Sequence, residues 1–145
     1  MNGQTILSQA GYRLSEPRKC VMQLLESADT PLSPLAIYRM LTSQGYRLGL
    51  VSVYRTLELL GSLGLVTIVY QPDGGSGYMN ATGGHHHHIL CQGCHKAIEF
   101  SGSEDLTELI QRVEGETNFQ VNGHLLQLYG LCPECQALVS QEQVK

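Results

Sequence analysis

Two Cys-x-x-Cys pairs, Cys91/Cys94 in "CQGC" and Cys132/Cys135 in "CPEC", stand 37 residues apart (95–131) in this chain. Two such pairs supply the four thiolate corners of a tetrahedral zinc site, each pair chelating from one tight knuckle. All four corners are protein ligands, so no position stays open for chemistry and the zinc expected here is structural. Two disulfides or inert core cysteines are the alternative. A reducing compartment disfavours the disulfides, and Gly93 and Pro133 suit tight turns rather than packed helices. The fifth cysteine, Cys20, lies beside an apolar helical stripe and is expected to be a semi-buried structural residue.

Four consecutive histidines, His85 to His88, directly precede the first pair. The run is short, internal and followed by cysteines, unlike an affinity tag. Strand alternation would divide it, with His86 and His88 facing one way and His85 and His87 the other. Imidazole is a borderline donor that suits zinc.

The elements that must position these residues fall into two halves of different pattern. With 145 residues, 42% hydrophobic and 15% charged, the chain fits one ordinary domain or two small ones and excludes a disordered polymer. Residues 14–28, 32–46 and 50–64 each read as a helix. Ser15 and Ser33 are placed as N-caps with Pro17 and Pro34 in the first turn. Inward stripes are expected at Val21, Leu24, Leu25 and Ala28, then Ile37, Met40 and Leu41, then Val53, Leu57 and Leu60, with Gly45 and Gly61 or Gly64 as stops. The period then changes to "LVTIVYQ", the turn "PDGGSG" and the returning strand "YMNA". Three helices and a hairpin are the order of a winged helix-turn-helix; a plain helical domain with a hairpin is the other reading.

Beyond the small residues Ala81-Thr82-Gly83-Gly84, the segments "HILC", "KAIEF", "FQV" and "HLLQLYGL" read as short strands. A helix from Ser103 to about Val113 interrupts them, and Asn122-Gly123 reads as the hairpin turn between the last two. The fold class is therefore α+β, with a winged-helix domain over 1–80, a hinge at 81–84 and a small α/β domain over 85–145. Six basic side chains face four acidic ones in residues 1–70, against three and nine in 71–145, within a net charge of −4. Such asymmetry points to different partners for the two halves. No stretch is apolar enough to span a bilayer and the first residues carry no secretory pattern, so the expected compartment is the cytoplasm.

Four segments, "GYRLSEPR", "SVYRTLELLGSLGLV", "HHHHILCQGCHKAIEF" and "HLLQLYGLCPECQ", occur here in one order and span nearly the whole chain. In them the chain resembles the ferric uptake regulator family, and among its members most closely the zinc uptake regulators. That resemblance implies a metal-dependent transcription regulator, not an enzyme, that binds operator DNA as a homodimer and represses metal-uptake genes. It places structural zinc on Cys91, Cys94, Cys132 and Cys135, and a second, exchangeable metal on His86, His88 and Glu99 at the hinge. His87 and His124, with His85 as a further candidate, match another site, whose acid is Glu104, Asp105 or Glu108. Arg13 and Arg18 match basic positions that contact DNA backbone or minor groove. Ser52, Tyr54 and Arg55 lie opposite the buried stripe of the third helix, where tyrosine packs on a thymine methyl and arginine reads guanine or grips phosphate.

The chain departs from the family where Pro31 and Leu32 replace a histidine and "YMNATGG" offers no acid or cysteine ahead of the run. Cys20 and Asp73 are the substitutes on offer from the first half. Iron-sensing members read HHDH where this chain reads HHHH, which favours zinc; an iron-dependent peroxide-sensing or iron-uptake regulator is the alternative. A zinc hydrolase on His86, His88 and Glu99 would lack a general base and an oxyanion loop. A passive metal store would leave the winged helix without a purpose.

Overall fold

The computed structural model describes residues 2–81, 86–101 and 106–143. The chain separates into two compact units, Met1–Gly83 and Gly84–Lys145.

The first unit opens with a helix that the sequence pattern does not announce, α1 (Gly3–Gln9). Asn2 caps it, its side chain accepting from the Thr5 amide at 2.8 Å, and Leu7 is wholly buried. Then come α2 (Glu16–Ser27), α3 (Pro34–Ser43) and α4 (Leu50–Ser62). The proline-after-serine starts hold: Ser15 and Ser33 are N-caps, and the Ser33 hydroxyl accepts from the Ala36 amide at 3.1 Å. Gly45 and Gly64, at φ +94° and +72°, follow α3 and α4 in the left-handed region that L side chains avoid.

Val21, Leu25, Ile37, Leu41, Val53, Leu57 and Leu60 form the core, with Leu24 packed against its edge. Met40 is a correction: it is exposed, because the buried line of α3 runs Ile37–Leu41 and a residue three past Ile37 falls off that narrow stripe. Cys20, expected half-buried, is buried, its thiol donating to the Pro17 carbonyl at 3.3 Å, and burial pushes the thiol pKa up.

β1 (Val66–Tyr70) and β2 (Ser76–Asn80) pair antiparallel from Val66↔Asn80 to Tyr70↔Ser76, so the returning strand starts two residues before "YMNA". Leu32 adds a third, one-residue rung, exchanging both backbone bonds with Tyr78 at 3.0 and 2.7 Å. Helices α2 to α4 with this hairpin make a winged helix-turn-helix.

In the second unit, β3 (His86–Cys91) is central, antiparallel to β4 (Ala97–Ser101) and parallel to β5 (Gln127–Gly130). α5 (Thr107–Thr117) lies between β4 and β5, and α6 (Pro133–Gln143) follows. Two expectations fail here. "FQV" is no strand and Asn122-Gly123 joins no hairpin, because residues 118–126 carry neither helix nor strand. A parallel β5 needs a crossover rather than a tight turn. Asn118 stops α5 in the left-handed region, and the Val121 amide donates to the Glu114 carboxylate at 3.2 Å instead of to a neighbouring strand. Pro133 also differs from expectation: it is the first residue of a helix, where its missing N–H costs nothing.

Candidate functional site

The four cysteines converge. Cys91 ends β3, Cys94 lies in the turn after it, Cys132 precedes α6, and Cys135 sits in the first turn of that helix. Their sulfurs all lie within 4.8 Å of one another, and those of Cys94 and Cys132 are 3.8 Å apart. A tetrahedral zinc site with Zn–S bonds of about 2.3 Å has edges of about 3.8 Å, so the donor set fits zinc.

Cys132 and Gly93 amides donate to the Cys91 sulfur at 3.3 and 3.4 Å. With the Cys94 amide they hold the Cys91 thiol down to about 5. Cys135 goes the other way: the Cys132 and Cys91 sulfurs beside it push it up to about 12. Four thiolates at this spacing repel one another, and a divalent cation at their centre relieves that repulsion. Packing at the cluster is close: a Cβ on Gly93 would lie 2.7 Å from the Cys135 sulfur. Lys96 and Glu134, on the β3–β4 turn and on α6, form an ion pair at 3.8 Å beside the cluster.

His87 and His88, successive residues of β3, fall on opposite faces of the strand. His88 is buried and lies opposite Glu99 in the β3–β4 register, with Gln127 of β5 on its other side. His86 shares the parity of His88 on the same strand. His87, only 5% exposed, belongs to the other face. Its ring centroid is 5.3 Å from that of His124 and 5.7 Å from that of Phe100. The buried Nε2 of His87 has no hydrogen-bond partner among the described residues. A buried ring nitrogen in that condition is costly and has the donor chemistry of a metal ligand. His85, Glu104 and Asp105 lie outside the described residues, and Glu108 is exposed on the first turn of α5.

In the first unit, α4 buries Val53, Thr56, Leu57 and Leu60 and turns Val51, Tyr54, Arg55 and Glu58 outward. Ser52 is half-buried at the flank of that face. Arg18 has internal work: its Nη1 donates to the Arg13 carbonyl at 2.6 Å, and its guanidinium lies 5.7 Å from the Tyr12 ring centroid. The Arg13 side chain is exposed. Asp73 accepts from the Gly75 amide at 2.9 Å in the hairpin turn, a local structural use.

Sequence reasoning missed α6 as the platform for Cys135, the steric role of Gly93, and Val51 as part of the outward face of α4. A signal for the first was present, since Pro133-Glu134 directly after Cys132 is a common helix opening.

A winged helix-turn-helix on the same chain as a four-cysteine cluster that fits a metal ion is the combination expected of a metalloregulator. The ferric uptake regulator family model matches residues 9–129, stopping short of Cys132 and Cys135. The ferric uptake regulation protein of Legionella pneumophila is 36% identical over 132 residues, covering 90% of this chain and 96% of its own length. That of Campylobacter jejuni is 34% identical over 134 residues, with 90% and 83% covered. A solved zinc uptake regulator, complexed with zinc and DNA, has the same fold at a TM-score of 0.78 and 20% identity, over 94% of this chain and 92% of that one. This chain belongs to the ferric uptake regulator family of metal-responsive transcriptional regulators.

Among the described residues, no helix is long and apolar enough to cross a membrane.

Proposed function

We propose that this protein is a zinc-sensing repressor that binds operator DNA as a homodimer and controls metal-uptake genes in the cytoplasm. Residues 1–80 would form the DNA-binding domain, 81–84 the hinge, and 85–145 the dimerisation and metal-binding domain. The observation that carries the metal assignment is the donor set around β3. His87, where iron-sensing members of the family carry an aspartate, is a buried imidazole beside His124, with an unsatisfied ring nitrogen. Nitrogen donors of this kind favour zinc over the oxygen-rich sets preferred by harder metals.

In this reading, structural zinc is held by Cys91, Cys94, Cys132 and Cys135. His86, His88 and Glu99 hold the sensed metal, and His87 with His124 forms a further site. The bound cation supplies a positive charge that ties its ligands into one arrangement. A ligand shifts a conformational equilibrium only by binding one state better than the other, so sensing requires that the metal prefer the DNA-competent state. Arg55 and Tyr54 read bases, Ser52 supports them from the flank, and Arg13 and Arg18 grip the backbone or minor groove. A homodimer is supported by the apolar line Ile98–Ile89–Leu128 across the second unit's sheet, whose residues are paired in register and all exposed.

An iron-dependent regulator of the same family, for iron uptake or peroxide sensing, is the second reading. What favours it is that the Legionella and Campylobacter relatives are both named ferric uptake regulation proteins. Titration separates the two. Protein retaining only its four-cysteine zinc is titrated with zinc(II) or anaerobic iron(II), and its affinity is measured for a duplex selected from a random-sequence pool. The zinc reading expects at least a ten-fold gain with zinc at concentrations where iron(II) gives little; the reverse order assigns iron, and no gain with either removes metal sensing.

A further inference from the structure

Val51 is the most exposed large hydrophobic residue among the described residues of the first unit, at 62%, and it stands in the first turn of α4. It contributes nothing to the core, which α4 reaches through Val53, Leu57 and Leu60. Nor does it serve the helix, since a β-branched residue is a poorer helix former than alanine, lysine or glutamate. Its neighbours on the outward face are Tyr54, itself 53% exposed, and Arg55, at the i+3 and i+4 spacing that places side chains side by side. An apolar spot thus sits against a cation, on the second helix of a helix-turn-helix and at the end of it whose residues meet base edges. The apolar group that a base edge offers in the major groove is the C5-methyl of thymine.

We propose that Val51 is a specificity-determining residue that packs on a thymine methyl in the major groove, one turn before the Tyr54–Arg55 pair. This inference rests on the operator-binding reading above and adds a base contact to it. Removing the contact should cost about what one buried methyl contributes, roughly four-fold in affinity. The cost should fall on one base of each half-site rather than on all sequences alike, because a methyl contact carries sequence information that a phosphate contact does not.

The test replaces thymine by deoxyuridine, which deletes that methyl and leaves the hydrogen-bonding groups in place. Metal-loaded full-length protein selects a duplex from a random pool, and each thymine of it is exchanged in turn. Wild type is expected to lose roughly four-fold at particular thymines. Val51→Ala is expected to become indifferent to one of these per half-site while keeping the wild-type response at the others. Val51 lies outside the core, so the variant should keep its zinc content and melting temperature, which are measured alongside. A Val51→Ala profile identical to wild type overturns the proposal. So does an equal loss on thymine, uracil and unrelated duplexes, which would make Val51 a sequence-independent contact. If metal-loaded wild type enriches no duplex, the operator-binding reading fails and this inference with it.

Discussion

At Gly93 the absence of one methyl group decides whether four sulfurs can meet. A Cβ there would lie 2.7 Å from the Cys135 sulfur and 3.1 Å from its Cβ. With zinc bound, that sulfur would be held about 2.3 Å from the metal and could not swing freely aside. Gly93→Ala should therefore weaken zinc retention by at least ten-fold, within the range of about 10–100-fold seen when the surroundings of metal ligands are disturbed. Competition against a chromophoric chelator reads this directly; unchanged retention would mean that the knuckle yields elsewhere. The four cysteines themselves were legible, because Cys-x-x-Cys spacing expresses the reach of two thiolates to one ion. The reason for Gly93 was not, since nothing in the spacing says that Cys135 arrives on a helix and passes over the turn. His87 and His124 came from a family pattern rather than from distance along the chain. Only the fold brings their ring centroids to 5.3 Å.

Elements with one continuous buried stripe could be read from the sequence, and those formed for other reasons could not. α4 shows Val53, Leu57 and Leu60 at helical spacing because one face meets the core along its whole length. α1 is seven residues long, and a single buried leucine gives no period to detect. α6 exposes Leu138 and Val139 and follows no one-sided pattern, so beyond its Pro133-Glu134 opening no buried stripe marks it, although it carries Cys135. The false strand at 119–121 came from taking Asn-Gly as a turn between neighbours, when β5 pairs in parallel with β3. The wing has an equally hidden requirement at Gly77. A Cβ there would stand 2.7 Å from the Pro31 carbonyl carbon and 2.8 Å from the Leu32 nitrogen. Backbone cannot rotate aside as a side chain can, and the Leu32–Tyr78 rung fixes the spacing. Gly77→Ala should destabilise the first unit by about 2 kcal/mol, the middle of the overpacking range. That corresponds to a fall of roughly 8–16 °C in its melting temperature, read by thermal denaturation followed with circular dichroism. A shift of under about 2 °C would show that the strand separates without cost.

At the scale of the whole molecule, the division of charge and apolar surface between the units carries the functional argument. Acidic side chains outnumber basic ones nine to three beyond residue 70, so phosphates are attracted to the first unit and repelled from the second. The second unit presents carbon instead: Ile98 is 54% exposed, Leu128 45% and Phe119 74%, and α5 buries no residue at all. Within it, Ile98, Ile89 and Leu128 are neighbours across the sheet, and adjoining exposed apolar residues of this kind mark an interaction surface. In the proposed homodimer a second copy would cover it by symmetry, and two DNA-binding units per particle would then engage two half-sites. A charge in the middle of the stripe tests this. Ile98→Asp places a carboxylate where the proposed interface is driest, next to Ile89 in the register. Burying it unpaired would cost several kcal/mol, enough to turn a micromolar or tighter dimer into a monomer at micromolar concentration. Sedimentation velocity should show half the wild-type mass. Affinity for a two-half-site duplex should drop to the level of a single half-site, with four-cysteine zinc retained because Ile98 is not among its ligands. A variant that stays dimeric would move the interface off the sheet and onto another surface of the unit.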